Sequence, residues 1–295
     1  MSQYTLISSI AAEPQSANRV YRVLKPTINY VGFIGYFWQV IRGIYKYPND
    51  KYYILLGEKD SHNVWDFYFE QPHIKTYPLS EEIISTVGAI MEDDSEFVDL
   101  YPSMQKMTPE ERNARRQKFG SIIKTFFVMN PELKNKFNSF RDEHFKGKKI
   151  LGYHHRGTDH PDQQDVTKMF PIIDDYLKNY DILFAASDES EVITKIKNYY
   201  GKNVILYPST TRSDPCDFQM PRTQDQTYTH AFRYNSIINW SRENMGYKIG
   251  EDAIMETYLL ASTDFLLMAC NSNVNYFIRA INPNLPYKVH YTPQL

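Results

Sequence analysis

Cysteine is almost absent from this chain: its 295 residues include two, Cys216 and Cys270. Neither belongs to a Cys-x-x-Cys pair, which argues against a thiolate zinc site and a disulfide framework. The composition fits a reducing compartment. Long hydrophobic runs are missing too. None approaches the roughly 18 residues that a membrane-crossing helix needs. The opening "MSQYTLISSIAAEPQSANR" lacks the basic start and extended apolar core of a signal peptide. The expectation is a soluble, cytoplasmic protein with no membrane span. An excess of either charge is also lacking. Lys plus Arg number 33 and Asp plus Glu 35, for a formal net charge of −2. Such a balance gives no polyanion-binding surface, so nucleic acid is not an expected partner. Any phosphate contact should be local, made by one or two arginines. The motifs GxxxxGK[ST], GxSxG and HExxH do not occur, and "GFIGYF" is not GxGxxG. There is no Asp-x-Asp triplet of the kind that holds a nucleotide sugar through a metal, so no metal and no cofactor are expected.

What is plentiful is aromatic surface, 24 Tyr and 17 Phe. Sugar-handling proteins stack rings in this way, but codon bias gives the same excess, so it carries little weight. The length allows two ordinary domains. In "TINYVGFIGYFWQVIRGIYKYPNDKYYILLGE", Gly32 and Gly35 punctuate a loop. Phe37, Val40, Ile41 and Ile44 then recur at the spacing of a buried helix face, and "KYYILLGE" reads as a strand. From about Ser80 to Glu143 the pattern is mostly helical. Thr108-Pro109 and Asn130-Pro131 each open a helix with a cap, a first-turn Pro and a nearby Glu. Gly147 closes this half, and a domain boundary is placed there.

The second half alternates. "KILGYHH", "DILFAASD", "NVILYPS" and "DFLLMACNS" read as strands; "PIIDDYLKN", "ESEVITKIKNYYG", "GEDAIMETYLLAS" and "NVNYFIRAIN" read as helices. Such alternation implies a parallel, Rossmann-like layer whose ligands sit beyond the carboxyl ends of the strands. Three polar clusters fall at those ends: His154 to Asp159, Ser187-Asp188, and Asn271-Ser272-Asn273. A shared cleft is the default expectation. The polar loop from Pro208 to Met245 is too long for a simple connection and should line it.

Each cluster has a bland reading beside a sharper one. Arg156 could grip a phosphate through parallel hydrogen bonds, or simply pair with Asp159. His154 and His155 alternate on a strand, so one should face inward and one outward. With Arg156 adjacent, hydrogen bonding to a sugar or nucleotide is easier to defend for them than acid catalysis. Ser187 or Asp188 reads either as a helix cap alone or as a hold on a ribose or base edge. Asp252 and Glu256 share one helix face. Glu256 lies among apolar residues and needs a donor, either a core arginine or a nucleotide. Ser272 and Asn273 stand at a helix start, where they cap it or help hold an anion.

"GYHHRGTD", "ILFAASDESEVITKIKNYYGKNVILYP" and "IGEDAIMETYLLASTDFLLMACNSNVNYFIRAI" occur in the order and spacing of a known superfamily. They resemble the donor half of the GDP-fucose-dependent α1,6-fucosyltransferases of nodulation and N-glycan type, and more loosely the α1,2- and protein O-fucosyltransferases. That family's first motif is roughly His-x-Arg-Arg-x-Asp, and "GFIGYFWQV" is similar to its N-terminal glycine-bearing loop. The resemblance spans about residues 148–282, with a weaker likeness before.

The resemblance implies an α/β, GT-B-like fold, with two Rossmann-like domains facing a central cleft. Residues 1–147 would form the acceptor-side domain, 148–283 the nucleotide-sugar donor-binding domain, and 284–295 a C-terminal tail. It implies an inverting, metal-independent glycosyltransferase. The sugar, most readily L-fucose from GDP-fucose, would move to a hydroxyl of a glycan acceptor. Arg156 is similar to the family's arginine on the donor β-phosphate, His154 to a histidine on nucleotide or sugar, and Asp159 to the motif's aspartate. Glu256 falls where an acidic residue holds the nucleoside, and Ser272 where a serine reaches the pyrophosphate. His155, Ser187, Asp188 and Asn273 complete the donor-side expectation. Gly32, Gly35, Tyr228 and Trp240 make up the acceptor-side one. The base would be Asp162, Asp165 or Asp159. Gly157 stands where the family has its second arginine, which allows another donor, such as UDP-xylose, or a non-catalytic glycan-binding module. Eukaryotic relatives are usually Golgi-anchored, so the missing anchor suggests a bacterial or viral source.

Overall fold

The computed structural model describes residues 21–25, 33–56, 63–78, 83–87, 107–156, 165–209, 212, 245–270 and 272–290. Its strands form two parallel sheets. The first has the order β2-β1-β3, with β1 at Tyr21–Leu24, β2 at Lys51–Ile54 and β3 at Ile83–Val87. Helix α1, Phe33–Lys46, crosses from β1 to β2 and buries Phe37, Val40, Ile41 and Ile44, as their spacing predicts.

Two expectations need correction here. Gly35 lies buried in the first turn of α1, not in a loop. The apolar period runs back through Ile34, which is also buried, so the helix begins earlier than its glycines suggest. The segment 83–87, read as helical, is strand β3 and pairs in parallel with β1. Its sequence, "IISTV", is β-branched at four of five positions. Side chains stiff at χ1 fit a pleated strand better than a helical turn.

Helices α2 (Pro109–Phe126) and α3 (Pro131–His144) start where their caps predict. Thr108 and Glu111 form a reciprocal capping box, and Asn130 accepts from the Leu133 N–H at 2.9 Å. Gly147 then turns the chain at φ +74°, a conformation that suits glycine.

The second sheet has the order β6-β5-β4-β7-β8. Its strands are β4 (Ile150–His155), β5 (Ile182–Ser187), β6 (Val204–Leu206), β7 (Phe265–Met268) and β8 (Tyr287–Val289). Every pairing is parallel. The crossovers carry α4 (Phe170–Leu177), α5 (Ser190–Tyr200), α6 (Met245–Ala261) and α7 (Asn273–Ile281) in turn. The chain runs outward from β4 to β6, then returns to place β7 on the other side of β4. This reversal makes the carboxyl ends of β4 and β7 a topological switch point. Residues 287–289, expected in a tail, extend the sheet as its edge strand.

Both faces of this sheet are covered. Leu151, Tyr153, Leu183, Ala185 and Leu267 pack with Ile173 of α4 and with Val192 and Ile196 of α5. Ile150, Phe184, Ala186, Leu266 and Met268 pack on the other side with Ile254 and Leu259 of α6 and Phe277 of α7. Phe277 also meets Phe37 and Phe127, with ring centroids 5.5 and 5.7 Å apart, so the core runs on into the first half. Double coverage corrects the reading of His154 and His155: the side chains alternate, but both are buried. Among the described residues, no helix is long and apolar enough to cross a membrane.

Candidate functional site

Strand β4 delivers His154, His155 and Arg156 to the switch point. His154 Nδ1 lies 2.7 Å from Asn275 Oδ1. The amide orientation settles which group donates. Asn275 Nδ2 gives its hydrogen to the Cys270 carbonyl at 2.5 Å, so Oδ1 must accept from His154. The proton therefore sits on Nδ1, and Nε2 is the ring's acceptor. Burial first, and the Arg156 charge among the others, hold the ring well below the usual histidine range, at about 4. A neutral imidazole of fixed tautomer can accept a hydrogen bond but is a poor acid at neutral pH. His155, on the opposite face, bonds to the buried Tyr153 hydroxyl at 2.8 Å, away from His154.

Arg156 follows β4 directly and pairs through Nη1 with Asp188, which follows β5. His155 and Ser187 are register partners, so the next residue on each strand falls side by side. Asp188, across the sheet, is thus a partner that local spacing did not suggest; Asp159, which it did, lies outside the described residues. Side-chain exposures of 19% and 24% keep this pair at the rim, within reach of a ligand. Ser187 Oγ accepts from the Glu189 N–H at 3.2 Å, a local turn bond. Asp188 pairs with arginine, and Glu189, not Ser187 or Asp188, takes the cap position of α5, with no side-chain capping bond.

A second arginine–carboxylate pair lies beside the first. Arg212, in the stretch after β6, donates to the carbonyls of Ser187, Ser209 and Tyr207 at 3.1, 2.8 and 3.2 Å and pairs with Glu256 of α6. The required donor for Glu256 is therefore a protein arginine. Burial pushes the Glu256 carboxyl up to about 8, against the pull of Arg212 and with help from Asp252 and Asp188. Asp252, on the same helix face, accepts from Ser209 Oγ at 2.8 Å. Arg212 had no motif to mark it; the one signal was the unmet need of Glu256.

On the β7 side, Ser272 caps α7 and accepts from the Asn275 N–H at 3.2 Å. The Asn273 carbonyl accepts from Trp38 Nε1 at 3.2 Å, which ties the start of α7 to α1, the helix that holds Gly35. Asp165 is exposed and caps a short 3₁₀ turn, accepting from the Thr167 N–H at 3.0 Å. Those bonds hold its carboxyl below the usual range, which makes it a weak proton acceptor. Asp159, Asp162, Gly32, Tyr228 and Trp240 lie outside the described residues. Among the described residues, no cluster of His, Cys, Asp or Glu could hold a metal ion.

Two parallel α/β sheets, with arginine, histidine and a capped helix start gathered at the switch point of the second, define a GT-B architecture. Solved structures share the fold. NodZ alpha-1,6-fucosyltransferase co-crystallised with GDP matches with 14% identity over 90% of this chain and 93% of that chain, at a TM-score of 0.51. Fucosyltransferase NodZ from Bradyrhizobium matches with 14% identity over 90% and 94% of the two chains, also at 0.51. A variant of Arabidopsis thaliana FUT1 in complex with GDP is 10% identical over 93% of this chain and 71% of that chain, at 0.55. No family model matches the sequence, and no curated protein does.

Proposed function

We propose that the chain is a glycosyltransferase that takes a sugar from a nucleoside diphosphate, L-fucose from GDP-fucose first, and places it on a hydroxyl of a glycan acceptor. Residues 148–283 form the donor side and residues 1–147 the acceptor side. The acceptor oxygen attacks the anomeric carbon from the face opposite the diphosphate. The bond from that carbon to the phosphate oxygen breaks, its electron pair leaves with GDP, and the configuration inverts. The acceptor's proton passes to a carboxylate, Asp159 or Asp162, since Asp165 is committed to its cap. Arg156 and the α7 start at Ser272 and Asn273 receive the charge that grows on the diphosphate. His154 Nε2 accepts a hydroxyl of sugar or ribose. No step needs a metal.

The observation that carries this reading is Arg156 at the carboxyl end of β4, the strand whose His154 meets Asn275 in the first turn of the capped helix α7. A guanidinium carries five N–H donors in a fork, so it can hold Asp188 on one edge and a phosphate on another. The test is a melting-temperature screen with GDP-fucose, GDP-mannose, UDP-xylose and UDP-glucose, because a ligand that binds only the native state raises Tm by mass action. The largest rise is expected with GDP-fucose. A larger rise with UDP-xylose would keep the fold and change the donor, an outcome that Gly157, in place of a second arginine, makes worth testing. Glycan binding with no nucleotide effect would point instead to a non-catalytic module.

A further inference from the structure

Away from the switch point, α2, α7 and β8 enclose a second cluster of cations. Arg279 of α7 is buried, with 6% of its surface exposed. Its guanidinium carbon sits 4.0 Å from the ring centroid of Tyr287 and 5.4 Å from that of Tyr276. Arg116 of α2 reaches the same Tyr287 ring at 5.7 Å and donates to its hydroxyl at 3.3 Å. The Nε atoms of Arg116 and Arg279 are buried without a hydrogen-bond partner. Among the described residues, the groups acting most strongly on Arg279, after its burial, are Tyr287, Arg116, Tyr276 and Arg112, none of them a carboxylate. Arg112 is engaged elsewhere, donating to the Met107 carbonyl at 2.6 Å.

Gathering like charges where water is largely excluded is costly. The tyrosine faces offset part of that cost through cation–π contact and leave both Nε donors unmatched. We propose that Arg116 and Arg279 form a binding site for a phosphate group, separate from the donor cleft. The phosphate dianion matches two cations in charge, and guanidinium forks match it in shape. The Tyr287 hydroxyl lies beside them as a further polar contact. Arg279 is seven residues beyond Ser272, about 10 Å along α7 toward the amino ends of the strands, so this is not the diphosphate site of the cleft. The source is either free inorganic phosphate or the phosphate end of a larger ester.

Binding of inorganic phosphate is measured by calorimetry at constant ionic strength, with chloride as the balancing anion, and methyl phosphate is run as the ester arm. The full chain should bind phosphate saturably, and Arg279→Met should weaken that binding tenfold or more. Melting of Arg279→Met in buffer alone should be no lower than that of the parent, because an unmatched buried cation has gone. Arg156→Ala is the control for phosphate entering the cleft, and binding should survive in it. Methyl phosphate binding as tightly as inorganic phosphate assigns the ester source; weaker binding assigns the free anion. Should Arg279→Met fail to fold, the half-buried Arg116→Gln replaces it with the same readout. The proposal is overturned if the parent shows no saturable binding, if folded Arg279→Met or Arg116→Gln binds unchanged, or if Arg156→Ala alone abolishes binding.

Discussion

Asn275 shows how much of the site rests on one side chain. It is fully buried, fixes the His154 tautomer and satisfies the Cys270 carbonyl. Asn275→Leu keeps the bulk but strands both partners, and each buried group left unpaired costs about 1–3 kcal/mol. A loss on the order of 3 kcal/mol is expected in urea denaturation, with weaker GDP binding in whatever remains folded. Glu256 makes a pH prediction. Its carboxyl is raised from 4.5 to about 8 in the folded chain, so between those values the unfolded chain holds fewer protons. Stability must then fall as pH rises through that window. The stretch from pH 6.5 to 8 reads Glu256 most cleanly, because buried His154 titrates below it. Melting temperature should drop across this stretch in the parent and stay flatter in Glu256→Gln. At this scale the sequence pointed to Arg156, His154 and Ser272, because chemistry-bearing residues crowded at strand ends. It could not name Asp188 or Arg212 as partners. Asp188 meets Arg156 only through the register of β4 against β5, and Arg212 meets Glu256 from 44 residues away.

Among elements, α6 is held by unusually close contacts. A methyl group added at Gly250 would stand 2.2 Å from the Tyr68 hydroxyl oxygen and 2.3 Å from its ring carbon. Tyr68 is buried, and its hydroxyl donates to the Tyr247 carbonyl at 2.6 Å, so it has little room to move. Gly250→Ala should destabilise by about 1–3 kcal/mol, the usual cost of overpacking. Thr108→Ala, at the exposed capping box of α2, should cost only about 1 kcal/mol. Chemical denaturation of the two variants side by side checks the order; equal losses would mean that α6 yields to the extra methyl. Elements with strong local signals were legible in advance: the capped α2 and α3, the apolar period of α1 and the alternation after Gly147. Strand β3 was misread, and β8 was missed inside an expected tail. Both are short, and their identity comes from the strands they pair with.

For the molecule as a whole, a parallel layer was readable from alternation, but the position of its switch point was not. That follows from α6 carrying the chain back across the sheet to set β7 beside β4. The same return brings the start of α7 against the end of β4, where Asn275 meets His154, and lets α7 pack into the first half through Phe277. In the proposed reaction this junction holds a nucleoside diphosphate through Arg156. Calorimetric titration of GDP into the parent chain and into Arg156→Ala tests it most directly. Saturable binding in the parent, weakened at least tenfold in a variant that still melts cooperatively, is the predicted result. Equal affinity in the two proteins, or no binding by the parent, would contradict it.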